Sequence, residues 1–235
     1  MSALLHRPLF WRPALHGGLW RLPASLSHLG GKERILLTFD DGPDADTAAT
    51  ARVLEREGAR ALFFLIGGRL PADPQHASCV SEEEAVAVTQ ALLRSGHLVG
   101  VHGLRHRRLL LAGPQRARRE LLEAAARIEA ACGLRPRHQR PPYGSWRPGL
   151  GALSRRLGLE PVFWSLDPRD YCARRPEEIL ARVLPLARAG DILLLHSSGP
   201  AAALTRAALP AMLDGLRARG LEPLDPLALL EAGDG

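Results

Sequence analysis

Lysine is almost absent from this chain. Of the 31 basic residues in 235, all but Lys32 are arginine, so the formal charge of +6 rests on a side chain that stays protonated at any physiological pH. Aromatic residues are scarce, at 5%, and do not interleave with basic ones in a dense block, which argues against a nucleic-acid partner. The arginines read instead as solvated surface cations. Cysteine occurs three times, as Cys79, Cys132 and Cys172. An odd number with no C-x-x-C spacing cannot pair fully within the chain and suits a reducing compartment. No stretch approaches the ~20 apolar residues of a membrane-spanning helix. Residues 1–31 are broken by prolines and arginines and lack a continuous apolar core, which makes a poor secretory signal. The expected location is cytoplasmic or peripheral to a membrane. Phe10, Trp11 and Trp20, set among leucines and arginines, leave two readings of that segment: lying on a membrane surface, or packing across the outside of a barrel or sheet.

What is present describes an ordinary soluble core, with 46% apolar and 24% charged residues. From Arg34 onward, short apolar runs alternate with longer helical patterns. The runs fall at 34–40, 61–67, 97–102, 137–142, 160–167, 191–197 and 220–224. Between them lie patterns of period near 3.6. Residues 114–133 place Leu121, Leu122, Ala125 and Ile128 on one face and end on Gly133, and the helix near residue 81 begins with a Ser81/Glu84 capping-box spacing and closes on Gly96. Strands alternating with helices imply an α/β fold with a parallel sheet. Seven such units favour closure of that sheet into a barrel of about seven strands, a little smaller than the eightfold form. With no internal repeat, linker or second core, the expectation is a single domain over 34–231, an N-terminal segment over 1–33 and a short tail over 232–235.

In such a fold chemistry gathers at the carboxyl ends of the strands, and the unusual polar residues sort there. Asp40 and Asp41 end the first run in "ILLTFDDGPD". His102 and His106 end the third, and Arg140 and Tyr143 close the fourth in "RPPYG". Asp167 and Asp170 follow the fifth, and His196 ends the sixth in "LLLHS". Two adjacent carboxylates repel each other. A cation on one relieves the repulsion and leaves the other free as a base, whereas a simple Asp-Gly-Pro turn needs only one of them. Two imidazoles spaced by four can converge on the same ion, although HxxxH alone also describes two solvated loop histidines.

"TFDDGPD", "HGLRH", "RPPYG", "DPRDY" and "LLLHS" stand in the order and approximate separation of the five motifs of the polysaccharide deacetylases, the NodB-homology proteins of carbohydrate esterase family 4. The resemblance covers about residues 34–231. It implies a distorted (β/α) barrel, a divalent metal, and hydrolysis of acetyl groups from N-acetylated or O-acetylated sugars of a polysaccharide or glycoconjugate. By the same resemblance Asp41, His102 and His106 look like the metal ligands, with zinc first and cobalt, manganese or nickel as alternatives. Asp40 resembles the general base and His196 the general acid. Arg140 would buttress Asp40, and Asp170 would pair with His196. Tyr143 would offer its backbone N–H to the oxyanion and its ring to the groove, Tyr171 would wall the groove, and Leu194 would line a pocket for the acetyl methyl.

The chain departs from the family pattern in three places. Gly103 stands where serine or threonine is usual, and the lost hydroxyl removes a local hydrogen bond, an expected loosening of the histidine loop. Tyr171 replaces a tryptophan, and Ser197 replaces a frequent aspartate. The loop around His76, after the second run, is a place for substrate choice. Phe163 and Trp164 read as core or barrel wall, His97 as structural, and His138 has no assigned task. Arg169, Arg174 and Arg175 read as solvated. Two other functions compete with the deacetylase: a saccharide-binding protein without turnover, and a deacetylase of a lipid-linked sugar at a membrane surface. The presence of both a base and an acid argues against the first.

Overall fold

Ten residues, Glu33–Gly42, form the longest strand, β1, of a computed structural model that describes residues 17–72 and 80–231. His76, Cys79, Phe10, Trp11 and the tail 232–235 lie outside the described residues. On one side β1 pairs in parallel with β2 (Leu62–Leu65), and on the other with β6 (Ile192–His196). Beyond β2 come β3 (Leu98–Val101), β4 (His138–Gln139) and β5 (Glu160–Pro161), again parallel. The order is β5-β4-β3-β2-β1-β6, and β7 (Leu221–Pro223) pairs with the start of β1.

Each of the seven expected runs contributes a strand, but the ladder is uneven. Only the first two residues of the 160–167 run are laddered, against β4. Val162 and Phe163 bond to Gln139 and Leu19. The end of the run then crosses to β6 and closes the curled sheet through the Leu166–Leu193 bridge and the bond from Leu194 N–H to the Leu166 carbonyl, 3.0 Å. That seam is what distorts the barrel.

Helices alternate with the strands: α1 (Ala24–Ser27), α2 (Ala45–Arg56), α3 (Val80–Arg94), α4 (Pro114–Cys132), α5 (Pro148–Arg156), α6 (Pro176–Val183), α7 (Ala202–Ala218) and α8 (Ala228–Glu231). Helix α4 begins with Pro at its first position and ends on Gly133 in the left-handed region, φ 75°, as its sequence signals require. Its buried face holds Leu121, Ala125 and Ile128 together with Ala117, Ala124 and Ala131, while Leu122 sits half-buried at the flank. Helix α3 starts at Val80, which places Ser81 inside the first turn, later than the capping-box spacing sets it; Glu82 and Glu83 supply the negative charge that turn favours. Helix α2 is capped by Asp44, whose carboxylate accepts the Thr47 N–H at 3.0 Å.

Side chains alternate across each strand, and the two faces make two cores. Outward, Ile35, Leu37, Phe39, Phe63, Val99 and Leu193 pack under the helices. Inward, Leu36, Leu62, Phe64, Leu98, Val162 and Ile192 fill the lower barrel, plugged by Leu22, Leu26 and Leu224. The described part of the N-terminal segment belongs to this packing. Leu19 bridges to Val162, and Trp20 stacks on Phe163 with ring centroids 4.1 Å apart.

Candidate active site

The inward face of β1 reads Leu36, Thr38, Asp40, and its last step delivers Asp40 to the carboxyl end of the barrel with Asp41 beside it. A cleft of about 580 Å³ opens there, and Asp40, Asp41, His102, His106 and His196 all line it. Tyr143, Tyr171 and Leu194 line it as well. Arg140 and Asp170 stand behind it, each fully buried. The structure therefore gathers every site residue expected from sequence.

Arg140 is the hub. Its Nη1 donates to Asp40 Oδ1 at 2.9 Å and to the Thr38 hydroxyl at 2.7 Å, its Nε to the Val162 carbonyl at 3.1 Å, and its Nη2 to the Phe163 carbonyl at 2.6 Å. The guanidinium lies 4.4 Å from the Phe64 ring centroid and 5.6 Å from that of Trp164. Burial lowers its pKa and the Asp40 charge opposes the shift. A buried cation this well paired fixes the rotamer of its carboxylate.

On one flank of Asp40 lies the Asp-His-His group. His102 Nδ1 is 2.8 Å from the Arg140 carbonyl, which assigns the proton to Nδ1 and turns the lone pair of Nε2 into the cleft. That Nε2 is 3.5 Å from Asp41 Oδ1, and His106 Nε2 is 3.1 Å from the same oxygen. One ligand atom from each of the three lies within 4.8 Å of the others. Asp41 Oδ1 is buried with no hydrogen bond of acceptable geometry. An orphaned carboxylate oxygen facing two imidazole nitrogens fits a cation, and the chemistry of the donor set suits a divalent metal. Burial would raise the Asp41 carboxyl, but His106, His102 and His196 together bring it down to about 2. Burial lowers the His102 pKa against the pull of Asp40 and Asp41, which favours the neutral imidazole a ligand needs.

On the other flank, β6 pairs His196 with Asp40 in register. Asp170 Oδ1 sits 2.7 Å from His196 Nδ1, while its Oδ2 accepts the His196 backbone N–H at 2.8 Å and the Thr205 hydroxyl at 2.7 Å. Burial works against charge on His196, but the hydrogen bond and charge of Asp170, with Asp40 and Asp41, outweigh it and raise the pKa to about 9. The imidazole is a cation at neutral pH, with Nε2 as its remaining donor.

Backbone strain concentrates here. Among the described residues, four that are not glycine have positive φ: Asp41, His106, Tyr143 and Arg169, at 78°, 48°, 61° and 52°. Three line the cleft and the fourth precedes Asp170, the distribution expected when loops are held in place for chemistry. In the Pro142–Gly144 turn, the local backbone bonds use the N–H groups of Gly144 and Ser145 and not that of Tyr143. Where the family's hydroxyl is missing at Gly103, the histidine loop is held through its backbone. Bonds tie it to the end of β2, from Gly67 N–H to the Gly103 carbonyl at 2.9 Å and from Gly68 N–H to the Leu104 carbonyl at 2.8 Å.

Sequence reasoning missed several residues. Trp164, read with Phe163 as core or barrel wall, is half-buried and lines the cleft; its parity with inward Val162 was the available signal. Arg69 and Ser198 also line the cleft and are joined to each other and to Asp44, with Arg69 Nη1 2.8 Å from both partners. Ser197, which had no role, is buried and donates to the Asp40 carbonyl at 3.2 Å. Asp167, seen at a strand exit in the sequence but given no task there, lines the cleft, its pKa raised by burial. His97 and His138 are buried away from the cleft, and burial drops both to about 4.

Comparison with known proteins agrees with this geometry. The polysaccharide deacetylase family model matches residues 29–162. The chain belongs to this family. It is 33% identical over 205 residues to the chitooligosaccharide deacetylase of Azorhizobium caulinodans, covering 81% of this chain and 92% of the relative. It is also 33% identical over 209 residues to a peptidoglycan-N-acetylglucosamine deacetylase of Bacillus cereus, covering 83% of this chain and 71% of the relative. The family 4 acetyl xylan esterase of Clostridium thermocellum, solved with a cobalt ion, superposes with a TM-score of 0.72 at 27% identity over 82% of this chain and 87% of that one. This polysaccharide deacetylase is accordingly a hydrolase of carbon–nitrogen bonds.

Proposed function

We propose that this deacetylase hydrolyses the acetamide of N-acetylglucosamine units in a glycan or glycoconjugate, the class on which its chitooligosaccharide- and peptidoglycan-directed relatives act. One observation carries the reading: a carboxylate, Asp40, and an imidazole held by a buried carboxylate, His196 on Asp170, share a rung of the β1–β6 ladder beside three convergent ligand atoms. A binding protein needs no such pair.

An amide resists hydrolysis because its carbonyl is a poor electrophile and its nitrogen a poor leaving group. A divalent cation held by Asp41, His102 and His106, zinc first with cobalt, manganese and nickel as alternatives, would polarise the carbonyl and acidify water beside it. Asp40, held by Arg140, takes the proton of the attacking water as its oxygen bonds to the acetyl carbon. The Tyr143 N–H donates to the carbonyl oxygen as charge builds there. His196, oriented by Asp170, gives its Nε2 proton to the nitrogen as the C–N bond breaks, releasing acetate and a free amine. Leu194, 4% exposed, forms the apolar contact for the methyl group, and the Tyr143 and Tyr171 rings wall the sugar groove.

The test is acetate release from chitin oligomers, peptidoglycan fragments, acetylxylan and lipid-linked N-acetylglucosamine with zinc supplied. Release from an N-acetylglucosamine substrate by the wild type, lost in Asp40→Asn and His102→Ala and on chelation, is the expected result. Equal release by wild type and both variants across the panel would overturn it.

A further inference from the structure

Six arginines crowd into one fifteen-residue stretch, and the fold sets them beside exposed leucines. Residues 105–119 carry Arg105, Arg107, Arg108, Arg116, Arg118 and Arg119. This segment runs from the histidine loop through the short turn Leu109–Leu111 into the first turns of α4. Leu109 anchors the turn in the core at 2% exposure, while Leu110 and Leu111 project outward at 43% and 82%. Leu111 is the most exposed large apolar side chain among the described residues.

The leucines and arginines share one groove. Leu109 and Leu111, with Arg107, Arg108 and Arg116, line about 520 Å³ that shares His106, Arg108 and Tyr143 with the catalytic cleft as a common wall. Arg105, Arg116 and Arg119 line the depression beside it. The acids on this face are already engaged: Glu120 lies 3.8 Å from Arg116, and Glu123 lies 2.7 Å from Arg127. The first turn of α4 has no acidic residue, although the helix dipole favours one. Arg116 has Glu120, whereas Arg105, Arg107 and Arg119 are exposed and make no ion pair among the described residues.

Exposed leucines set among exposed arginines present apolar surface and positive charge together. A soluble polyanion would neutralise the arginines and leave the leucines wet. A layer of anionic lipid answers both, since apolar side chains enter the acyl boundary while arginines stay at the phosphates. We propose that this surface docks on an anionic lipid bilayer and holds the mouth of the cleft at the level of the headgroups. Its substrate would then be an acetylated sugar presented at that surface. The docking surface stands on its own observations and does not depend on the deacetylase chemistry.

The test is co-sedimentation with phosphatidylcholine vesicles, with and without phosphatidylglycerol, at physiological ionic strength, with heparin binding measured alongside. The wild type is expected to bind only the vesicles containing phosphatidylglycerol. Leu110→Ser/Leu111→Ser and Arg118→Glu/Arg119→Glu should each weaken that binding on the order of tenfold or more. Both variants should keep the wild-type melting temperature and acetate release from a soluble chitin oligomer, because these side chains are exposed and outside the chemistry. No binding to phosphatidylglycerol vesicles overturns the proposal. So does unchanged vesicle binding by the leucine variant, or heparin binding in its place, since either outcome reduces the patch to charge alone. Vesicle binding without acetate release would sink the deacetylase reading and leave the docking surface intact.

Discussion

The lower and upper halves of the barrel interior are built by the same strands and do opposite things. Along β1 the inward positions run Leu36, Thr38, Asp40; along β3, Leu98, Gly100, His102; along β6, Ile192, Leu194, His196. Each begins apolar and ends on a group that can carry charge. Below, Leu36, Leu62, Leu98 and Ile192 close against Leu22, Leu26 and Leu224. Above, Asp40, His102, Arg140 and Asp170 are as buried as any leucine, yet each is hydrogen-bonded or ion-paired. The lower half supplies hydrophobic stability, and the upper half positions charges that would be costly to bury unpaired. Two residues of one strand separate the two regimes.

The sharpest break between the halves comes from Asp40→Asn. The amide keeps the shape and an acceptor for Arg140 but cannot take a proton. Acetate release should fall by ~10²–10⁴-fold, the usual worth of a general base, with the fold retained by circular dichroism. Leu62→Ala is the mirror experiment in the lower half. Leu62 is fully buried, so truncation should cost ~2–5 kcal/mol in urea denaturation while the folded fraction keeps its kcat. Comparable activity losses per folded molecule in the two variants would dissolve the division.

A smaller effect follows from the His196–Asp170 pair. In metal-free protein, NMR titration of His196 should give a value near 9, and Asp170→Asn should bring it down, because burial then acts without the opposing charge. A pKa raised in the folded state stabilises the fold fully below the unfolded value of ~6.5 and ceases to do so as pH rises through the folded one. The stability gap between wild type and Asp170→Asn should therefore be widest at mildly acidic pH and close toward about 9. The basic limb of the rate profile should shift the same way as the titration, since a deprotonated acid cannot serve the leaving amine.

The same division explains what the sequence made legible. The long apolar β1 run, buried on both faces, and the polar residues at strand exits announced themselves through period and motif. β4 and β5 are two-residue ladders beside the seam, and their extent depends on how the sheet curls, which no local pattern encodes. Trp164 was hidden because an aromatic inside an apolar run looks like core from either face. Arg69, Ser198 and Asp44 lie far apart in the chain and meet only through the fold. The docking patch was hidden for a related reason: its arginines crowd together in sequence, but the exposure of the leucines beside them is set by the fold.

Gly103 provides the finest test. The missing hydroxyl and the backbone conformation are separate accounts of why glycine stands there. Its φ of 72° puts it in the left-handed region, and a Cβ would approach Pro142 Cγ to 3.3 Å. If conformation decides, Gly103→Ala and Gly103→Ser should each lose about 1–2 kcal/mol in denaturant, the ordinary penalty of that region. Neither should bind zinc more tightly by calorimetric titration, because the bonds from Gly67 and Gly68 already fix the loop. If the hydroxyl is what the loop lacks, serine should instead recover stability and metal affinity beyond both alanine and wild type, and the backbone account would fail. Serine and alanine differ there by one oxygen, so the comparison isolates that oxygen from the strain they share.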